Sequence, residues 1–511
     1  MSISSSHTSG LHSRYDPMRE AEKFLAHSEI PTDSKIYILL EPGKGYLSQI
    51  LHYKNPSAKI LEVHCSSEFQ NRDSRLHESI KTWHPDYPGS LSSFLSKYIS
   101  DFEIGEIKIV EWPPAARVYG DDYVRTKEYL RSFLQERRAT VHTTGKFGRV
   151  WIKNTLKRLA RLPSVCTGLT VNAPVLIAAS GPTLNQSIPL LKELEHALFI
   201  ISLPSSLATL TYHGISPDIV VHSDPGYYAE YHLRKLSTGS FLQAAPLYAA
   251  GYTRLTDTLL ILATGSPLEN YFIKTLNTYA ETISPHGTVA GLAYQLAQKI
   301  SSGPIIFAGL DFCFNDIQSH ARPHSFEEIL QSVTHRYKNI HGLYYERSPR
   351  AAEKSTPTPN QNFSLERYSQ WFQRLPPETH SRFYRLKPSS ITIPAFTTLG
   401  EEGVRKMCEN ISKPLFDYTS ARIDKKTIRA SLSSLEAAVQ SQYEQFLLQD
   451  TESHHIITQL KKNPLLFELY QCTNLPLLFR IQKGSADKKD LLEAYPGIIG
   501  ELQSISQAVL S

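Results

Sequence analysis

Three apolar runs near the middle of the chain each end in a small or acidic cluster. Val175-Leu-Ile-Ala-Ala-Ser180 leads into Gly181-Pro182-Thr183, Asp218-Ile-Val-Val-His222 into Ser223-Asp224-Pro225, and Pro304-Ile-Ile-Phe-Ala308 into Gly309-Leu310-Asp311. Apolar runs of this length between turn residues predict strands buried on both faces. From Asn172 to about Phe314, runs at 174–180, 197–203, 218–223, 246–250, 259–263 and 304–309 alternate with helical stretches near 184–196, 204–213, 227–237, 267–280 and 289–301. Such alternation predicts a parallel sheet covered by helices. The ligand crevice of that kind of sheet lies beyond the carboxyl ends of its strands, where all three clusters fall.

The same patterning divides the rest of the chain. Residues 1–30 read as a polar tail and a short helix, closed by Pro31-Thr-Asp33. Residues 31–145 open with a strand at 35–40, the turn Glu41-Pro-Gly43-Lys-Gly45, a helix through Leu51 and a strand at 59–63, the start of a smaller Rossmann-like domain. Gly43 and Gly45, with Glu62 about 17 residues on, invite a dinucleotide or S-adenosylmethionine site. The third glycine is missing, and the alternative is a scaffolding layer whose glycines serve a tight turn. From Asp121 to Arg161 the spacing is helical and includes Phe147-Gly-Arg-Val-Trp151-Ile-Lys-Asn154. Phe147 and Trp151 are four apart, so they share a face and are expected to pack together on a core-facing helix between domains.

Residues 146–400 form the catalytic candidate, within which 315–362 reads as a lid or loop apart from a helix near 325–334. That stretch is rich in His, Arg, Ser and Pro and contains Thr356-Pro-Thr-Pro359. A helix at 363–375 and a returning strand at 391–396 follow, and residues 401–511 are predominantly helical from Ser420. The predicted architecture is α/β: a central Rossmann-like, mostly parallel sheet, preceded by a smaller Rossmann-like domain and followed by a helical C-terminal region.

Composition narrows the function classes. The 511 residues carry 54 basic and 49 acidic side chains, a formal charge of +5 that gives no argument for nucleic acid. No stretch approaches the run of about 20 apolar residues that spans a bilayer. The start is Ser- and His-rich without an export signal's apolar core. Five scattered cysteines, with no Cys-x-x-Cys pair, fit reduced thiols in a cytoplasm.

The clusters carry the candidate chemistry. At Ser180-Gly181-Pro182-Thr183, Gly181 permits close backbone approach and Pro182 suits a first helical turn, so the helix end is expected to hold a phosphate or carboxylate. Asp224 and Asp311 stand at equivalent strand ends. Such carboxylates share a metal, bind ribose hydroxyls or act as acid and base, and a turn or cap role is the plain alternative for Asp224. Beyond Asp311, His320 is placed to take a proton from an attacking hydroxyl, with His324 its rival.

These motifs resemble one family. Ala178-Ala-Ser-Gly-Pro-Thr-Leu184, Gly214-Ile-Ser-Pro-Asp218-Ile-Val-Val-His-Ser-Asp224-Pro225, His286-Gly-Thr-Val-Ala290 and Ile305-Ile-Phe-Ala-Gly-Leu-Asp311-Phe with Ser319-His320-Ala321 look like the Maf motility-associated glycosyltransferases. Phe147 to Asn154 resembles the helix before that family's central domain, which is itself similar to sialyltransferases and to the MptE-like 6-hydroxymethylpterin diphosphokinase. The resemblance implies transfer of a nonulosonic, sialic-acid-like sugar from a CMP-activated donor to Ser or Thr of flagellin in the cytoplasm. Neither a bound cofactor nor a metal is expected.

By motif, Ser180, Gly181, Pro182 and Thr183 would lie at the nucleotide phosphate, Asp224 and Thr288 would line the same pocket, and Asp311 and His320 would face donor sugar or acceptor. Thr183 stands where the family usually has Ser, Asn185 where an acid is common, and Leu310 where a Gln often precedes the Asp. The alternatives are pterin diphosphokinase activity using ATP and Mg²⁺, and a non-catalytic flagellin-binding protein.

Overall fold

A computed structural model describes residues 10–28, 30–31, 34–69, 80–233, 242–250, 258–284, 287–348, 363–373, 375, 382–389, 391–411, 416–449 and 455–510. The start of the expected tail, the end of the helix expected at 227–237, His286 and Thr356-Pro-Thr-Pro359 lie outside these residues. The chain forms two compact units, Met1–Lys146 with Leu475–Asp490, and Phe147–Asn474 with Leu491–Ser511.

In the first unit β1 (Ile36–Leu40), β2 (Lys59–Val63), β3 (Ile80–Trp83) and β4 (Ile107–Glu111) form a parallel sheet in the order β3-β2-β1-β4. Central β1 is buried at every position, as its unbroken apolar run requires. The order reverses between β1 and β4, and the Gly43-x-Gly45 turn leaves β1 there. This chain's own segment fills that turn. The Lys44 N–H donates to His12 Nε2 at 2.9 Å, Trp112 Nε1 donates to the Leu11 carbonyl at 2.8 Å, and the His12 ring meets Tyr46 edge-on at 5.0 Å. A Cβ on Gly43 would lie 2.2 Å from His12 Nε2, and its φ is +59°. Glu62 accepts from the Ser48 and Thr82 hydroxyls.

The carboxyl ends of β1 and β2 also bury an acid–imidazole network. His64 Nδ1 lies 2.9 Å from Glu41 Oε1 and its Nε2 lies 3.5 Å from Glu62 Oε2. Glu41, held at φ +49°, also accepts the Cys65 N–H at 2.6 Å. The helix Leu475–Gln482 completes this unit from far along the chain, with Phe479 against Phe102 at 5.3 Å.

The second unit holds β5 (Ser164–Val171), β6 (Val175–Ala178), β7 (Phe199–Ser202), β8 (Ile219–Val221), β9 (Leu242–Ala245), β10 (Leu259–Ala263), β11 (Glu281–Thr282), β12 (Ile305–Ala308), β13 (Phe383–Leu386), β14 (Thr397–Leu399) and β15 (Phe416–Arg422). They form one sheet in the order β14-β13-β12-β6-β7-β8-β9-β10-β5-β15, with β11 beside β10. All pairs are parallel except β15 on β5. Alternation inside the buried runs splits two cores. Val175, Ile177, Ile305 and Phe307 face one, while Leu176, Ala178, Ile306 and Ala308 face the other.

Two strand expectations move. The run at 246–250 is the loop after β9, whose real span contains the fully buried Gln243; Pro246 ends it. Residues 391–396 are a turn between β13 and β14. Among the described residues no helix is long and apolar enough to cross a membrane.

Candidate functional site

The strand order of the second unit reverses between β6 and β12. β6 leads on to β7 and β8 on one side, and β12 leads on to β13 on the other, so a crevice opens between their carboxyl ends. The Gly181 N–H donates to the Gly309 carbonyl at 2.8 Å. Thr183 donates twice to Asp311, from its N–H to Oδ2 at 2.8 Å and from its hydroxyl to Oδ1 at 2.6 Å. A Cβ on Gly181 would stand 2.4 Å from Asp311 Oδ2 and 2.5 Å from the Gly309 carbonyl oxygen. Gly309 is glycine for a second reason: at φ +69°, its added Cβ would lie 2.8 Å from the Ala179 carbonyl oxygen. The next residue but two, Phe312, is held at φ +50°, a backbone state costly for a bulky residue.

The N–H groups of Gly181 and Thr183 both have partners within the protein, and of the phosphate or carboxylate expected at the start of the helix Leu184–Leu194 the group present is a carboxylate, that of Asp311. Asp311 is 2 % exposed. Burial raises its pKa against the pull of the two Thr183 bonds and the charge of Arg385. Arg385 in turn donates to the Leu310 carbonyl at 2.8 Å, and the Leu310 side chain is buried in the core.

The loop after β12 then walks across the neighbouring strand ends, pinned at each. The Ala321 N–H donates to the Ser180 carbonyl after β6 at 2.8 Å. Asn185, on the following helix, donates to the Arg322 carbonyl at 2.6 Å and accepts the Arg322 N–H at 2.8 Å. Thr209, on the helix after β7, donates to the Pro323 carbonyl at 3.0 Å. Phe326 packs against His232 beyond β8, with ring centroids 4.6 Å apart. An amide at position 185 serves both a donor and an acceptor need here, which an acid does not.

The two candidate histidines on this loop differ. His320 has Nδ1 2.8 Å from the Ser319 hydroxyl. His324 uses both nitrogens, Nε2 at 3.0 Å from the Tyr344 hydroxyl and Nδ1 accepting the Phe326 N–H at 3.3 Å. Burial lowers the pKa of both, His324 to about 4 with the neighbouring His320 adding to the fall.

Asp224 is exposed at the end of β8 and its Oδ1 accepts the Gly226 N–H at 2.7 Å, the turn role its sequence allowed. Three strand spacings separate β8 from β12, about 14 Å. Thr288 caps the helix Val289–Ile300, accepting the Ala290 N–H at 3.2 Å. The fold therefore joins Ser180, Gly181, Pro182, Thr183, Asp311 and His320 at one crevice. Asp224 lies farther along the same edge.

Sequence reasoning missed what the helix carrying Phe147 to Asn154 does. The Asn154 amide donates to the carbonyls of Pro225 and Tyr248, both at 3.0 Å, and the Trp151 ring meets Tyr248 at 5.6 Å. Arg158, fully buried, donates to the carbonyls of Ala249 and Ala250. Burial lowers its pKa to about 9, with the nearby Glu269 opposing the fall. Polar residues at 154 and 158, four apart beside Trp151, were the available signal: one helix face holds the loops after β8 and β9. Asn154→Ala strips two half-buried carbonyls of their donor and is expected to cost about 2 kcal/mol, read as a lowered urea midpoint. An unchanged midpoint would remove the clamp.

Among the described residues no cluster of three or more His, Cys, Asp or Glu could hold a metal ion. Residues 152–316 match the family model "6-hydroxymethylpterin diphosphokinase MptE-like". An uncharacterized protein of Treponema pallidum (strain Nichols) is 28% identical over 358 residues, 66% of this chain and 74% of that protein. A solved Maf glycosyltransferase structure from Magnetospirillum magneticum AMB-1 superposes with a TM-score of 0.50 at 12% identity, covering 96% of this chain and 82% of that one. The chain thus carries an MptE-like central segment within a fold that, over nearly its whole length, it shares with a Maf glycosyltransferase.

Proposed function

We propose that the second unit is a glycosyltransferase that moves a nonulosonic sugar from a CMP-activated donor to a Ser or Thr hydroxyl of flagellin in the cytoplasm. The observation that carries this reading is the seat of His320. The loop that bears it is pinned over the β6–β12 crevice at Ser180. Its Nδ1 is oriented by Ser319, and burial keeps the ring in its neutral, proton-accepting form at neutral pH. As the bond between the anomeric carbon and the phosphate oxygen breaks, the acceptor oxygen attacks that carbon and His320 Nε2 takes its proton.

With both its oxygens on Thr183, Asp311 has the role of an anchor that holds the β6 turn against β12. The leaving phosphate is assigned to the hydroxyls of Ser180, at this corner, and of Thr288, at the start of the helix Val289–Ile300. The reaction in this form calls for no resident cofactor or metal.

His320→Ala is expected to lower transfer at least about 100-fold, measured as CMP release with flagellin present. His324→Ala should keep most activity. Because the pKa of His320 is lowered, kcat/KM should rise as pH climbs through that depressed value and reach its plateau at a lower pH than an ordinary imidazole base would give. Wild-type transfer by His320→Ala would refute the assignment of the base.

The match over 152–316 favours a second reading, diphosphoryl transfer from ATP to a hydroxymethylpterin. That chemistry asks Asp224 and Asp311 to share Mg²⁺, whereas Asp311 is committed to Thr183 and Asp224 stands about 14 Å off by strand spacing. Magnesium-dependent ATP turnover would revive it. Tight flagellin binding without CMP release would point instead to a non-catalytic binding protein.

A further inference from the structure

We propose that Tyr227 and Tyr228, backed by Tyr231 and Phe326, form a stacking platform for the planar base of the nucleotide donor. This rests on the reading that the crevice takes a nucleotide-activated sugar. Tyr227 and Tyr228 follow Asp224-Pro225-Gly226 at the end of β8 and are 63 % and 64 % exposed. Large aromatic side chains left this open next to a crevice mark a surface that meets something.

Their support is firm. The Asp224 side chain closes the turn on the Gly226 N–H at 2.7 Å, and the Ala229 N–H donates to the Gly226 carbonyl at 3.0 Å. Buried Leu233 fastens the following short helix to Leu207 and Val220. Tyr228 stacks with Tyr231 at 6.1 Å and 28°, and the Phe326 ring lies 6.3 Å from Tyr228 and 6.4 Å from Tyr231. Phe326 comes from the loop that carries His320, so the platform joins the loop after β8 to the loop after β12.

Position selects the ligand. β8 lies two strand spacings from β6, roughly 10 Å, which is comparable to the span of a nucleotide from phosphate to base. A heterocycle stacks on a tyrosine face through its π surface, and the exposed Asp224 stands beside it to accept from a ribose hydroxyl or an exocyclic amine.

Calorimetric titration with CMP, and with inorganic phosphate as a control, tests the platform on the full chain. The double variant Tyr227→Ala/Tyr228→Ala should weaken CMP binding about 10-fold or more while phosphate binding stays as in wild type, and Tyr227→Phe/Tyr228→Phe should keep CMP affinity. Both tyrosines are exposed, and an unchanged melting temperature verifies the fold. CMP binding by the alanine variant at wild-type strength, or an equal loss of CMP and phosphate binding, overturns the platform alone. Failure of the wild-type chain to bind CMP overturns the platform and the glycosyltransferase reading together.

Discussion

Gly181→Ala is expected to abolish activity and to lower the stability of the second unit by about 3 kcal/mol or more. The added methyl would arrive 2.4 Å from Asp311 Oδ2, 2.5 Å from the Gly309 carbonyl oxygen and 2.8 Å from Asp311 Cβ. None of the three can retreat. The carbonyl accepts the Gly181 N–H, the carboxylate is held twice by Thr183, and Gly309 is itself pressed against Ala179 and Leu184. Relief requires β6 and β12 to part, which opens the crevice where its geometry is set. Thermal unfolding and CMP release on the same preparation check this. A variant that melts and turns over like wild type would mean that the β6–β12 corner is slack.

The second large effect lies in the first unit. Burial alone would lower the pKa of His64, yet hydrogen bonds to Glu41 and Glu62 and their charges together carry it above the ordinary 6.5. A group whose folded pKa is raised stabilises the fold fully below its unfolded value and ceases to do so as pH rises through the folded value. The first unit should therefore lose stability on alkalinisation from 6.5 upward, through the folded pKa of His64. His64→Ala leaves two buried carboxylates without their imidazolium and should cost about 3–5 kcal/mol near neutral pH. It should also lack the wild-type decline. Unfolding midpoints across pH test both statements, and a wild-type profile that stays level above 6.5 would contradict them.

Much of the architecture was legible because buried parallel strands write themselves as unbroken apolar runs. The strand at 59–63 coincides with β2, and the carboxyl-end clusters at Gly181 and Asp311 flank the point where strand order reverses. Strands that depart from that composition were hidden. Polar Gln243 disguises β9, and β15 is exposed along most of its length, so its Thr and Ser residues carry no burial signal. The site was legible as positions and not as partnerships. Nothing local says that Asp311 spends both oxygens on Thr183, because the two residues lie 128 positions apart and meet only once β12 has docked beside β6. Likewise, Asn154 gives no sign in the sequence of the carbonyls it will meet, 71 and 94 positions later.

The first unit draws its last helix, Leu475–Gln482, from far beyond its other residues, and that helix buries Leu477, Leu478 and Ile481. On a ribosome, the earlier residues emerge long before this piece does. Their apolar flank around Phe102 has to wait, uncovered, while the entire sheet of the second unit is translated. A module that cannot finish until the strands of the other unit have been made is exposed to aggregation in the interval, and a message cut short before Leu475 would leave the second unit's sheet complete and the first unit's flank open.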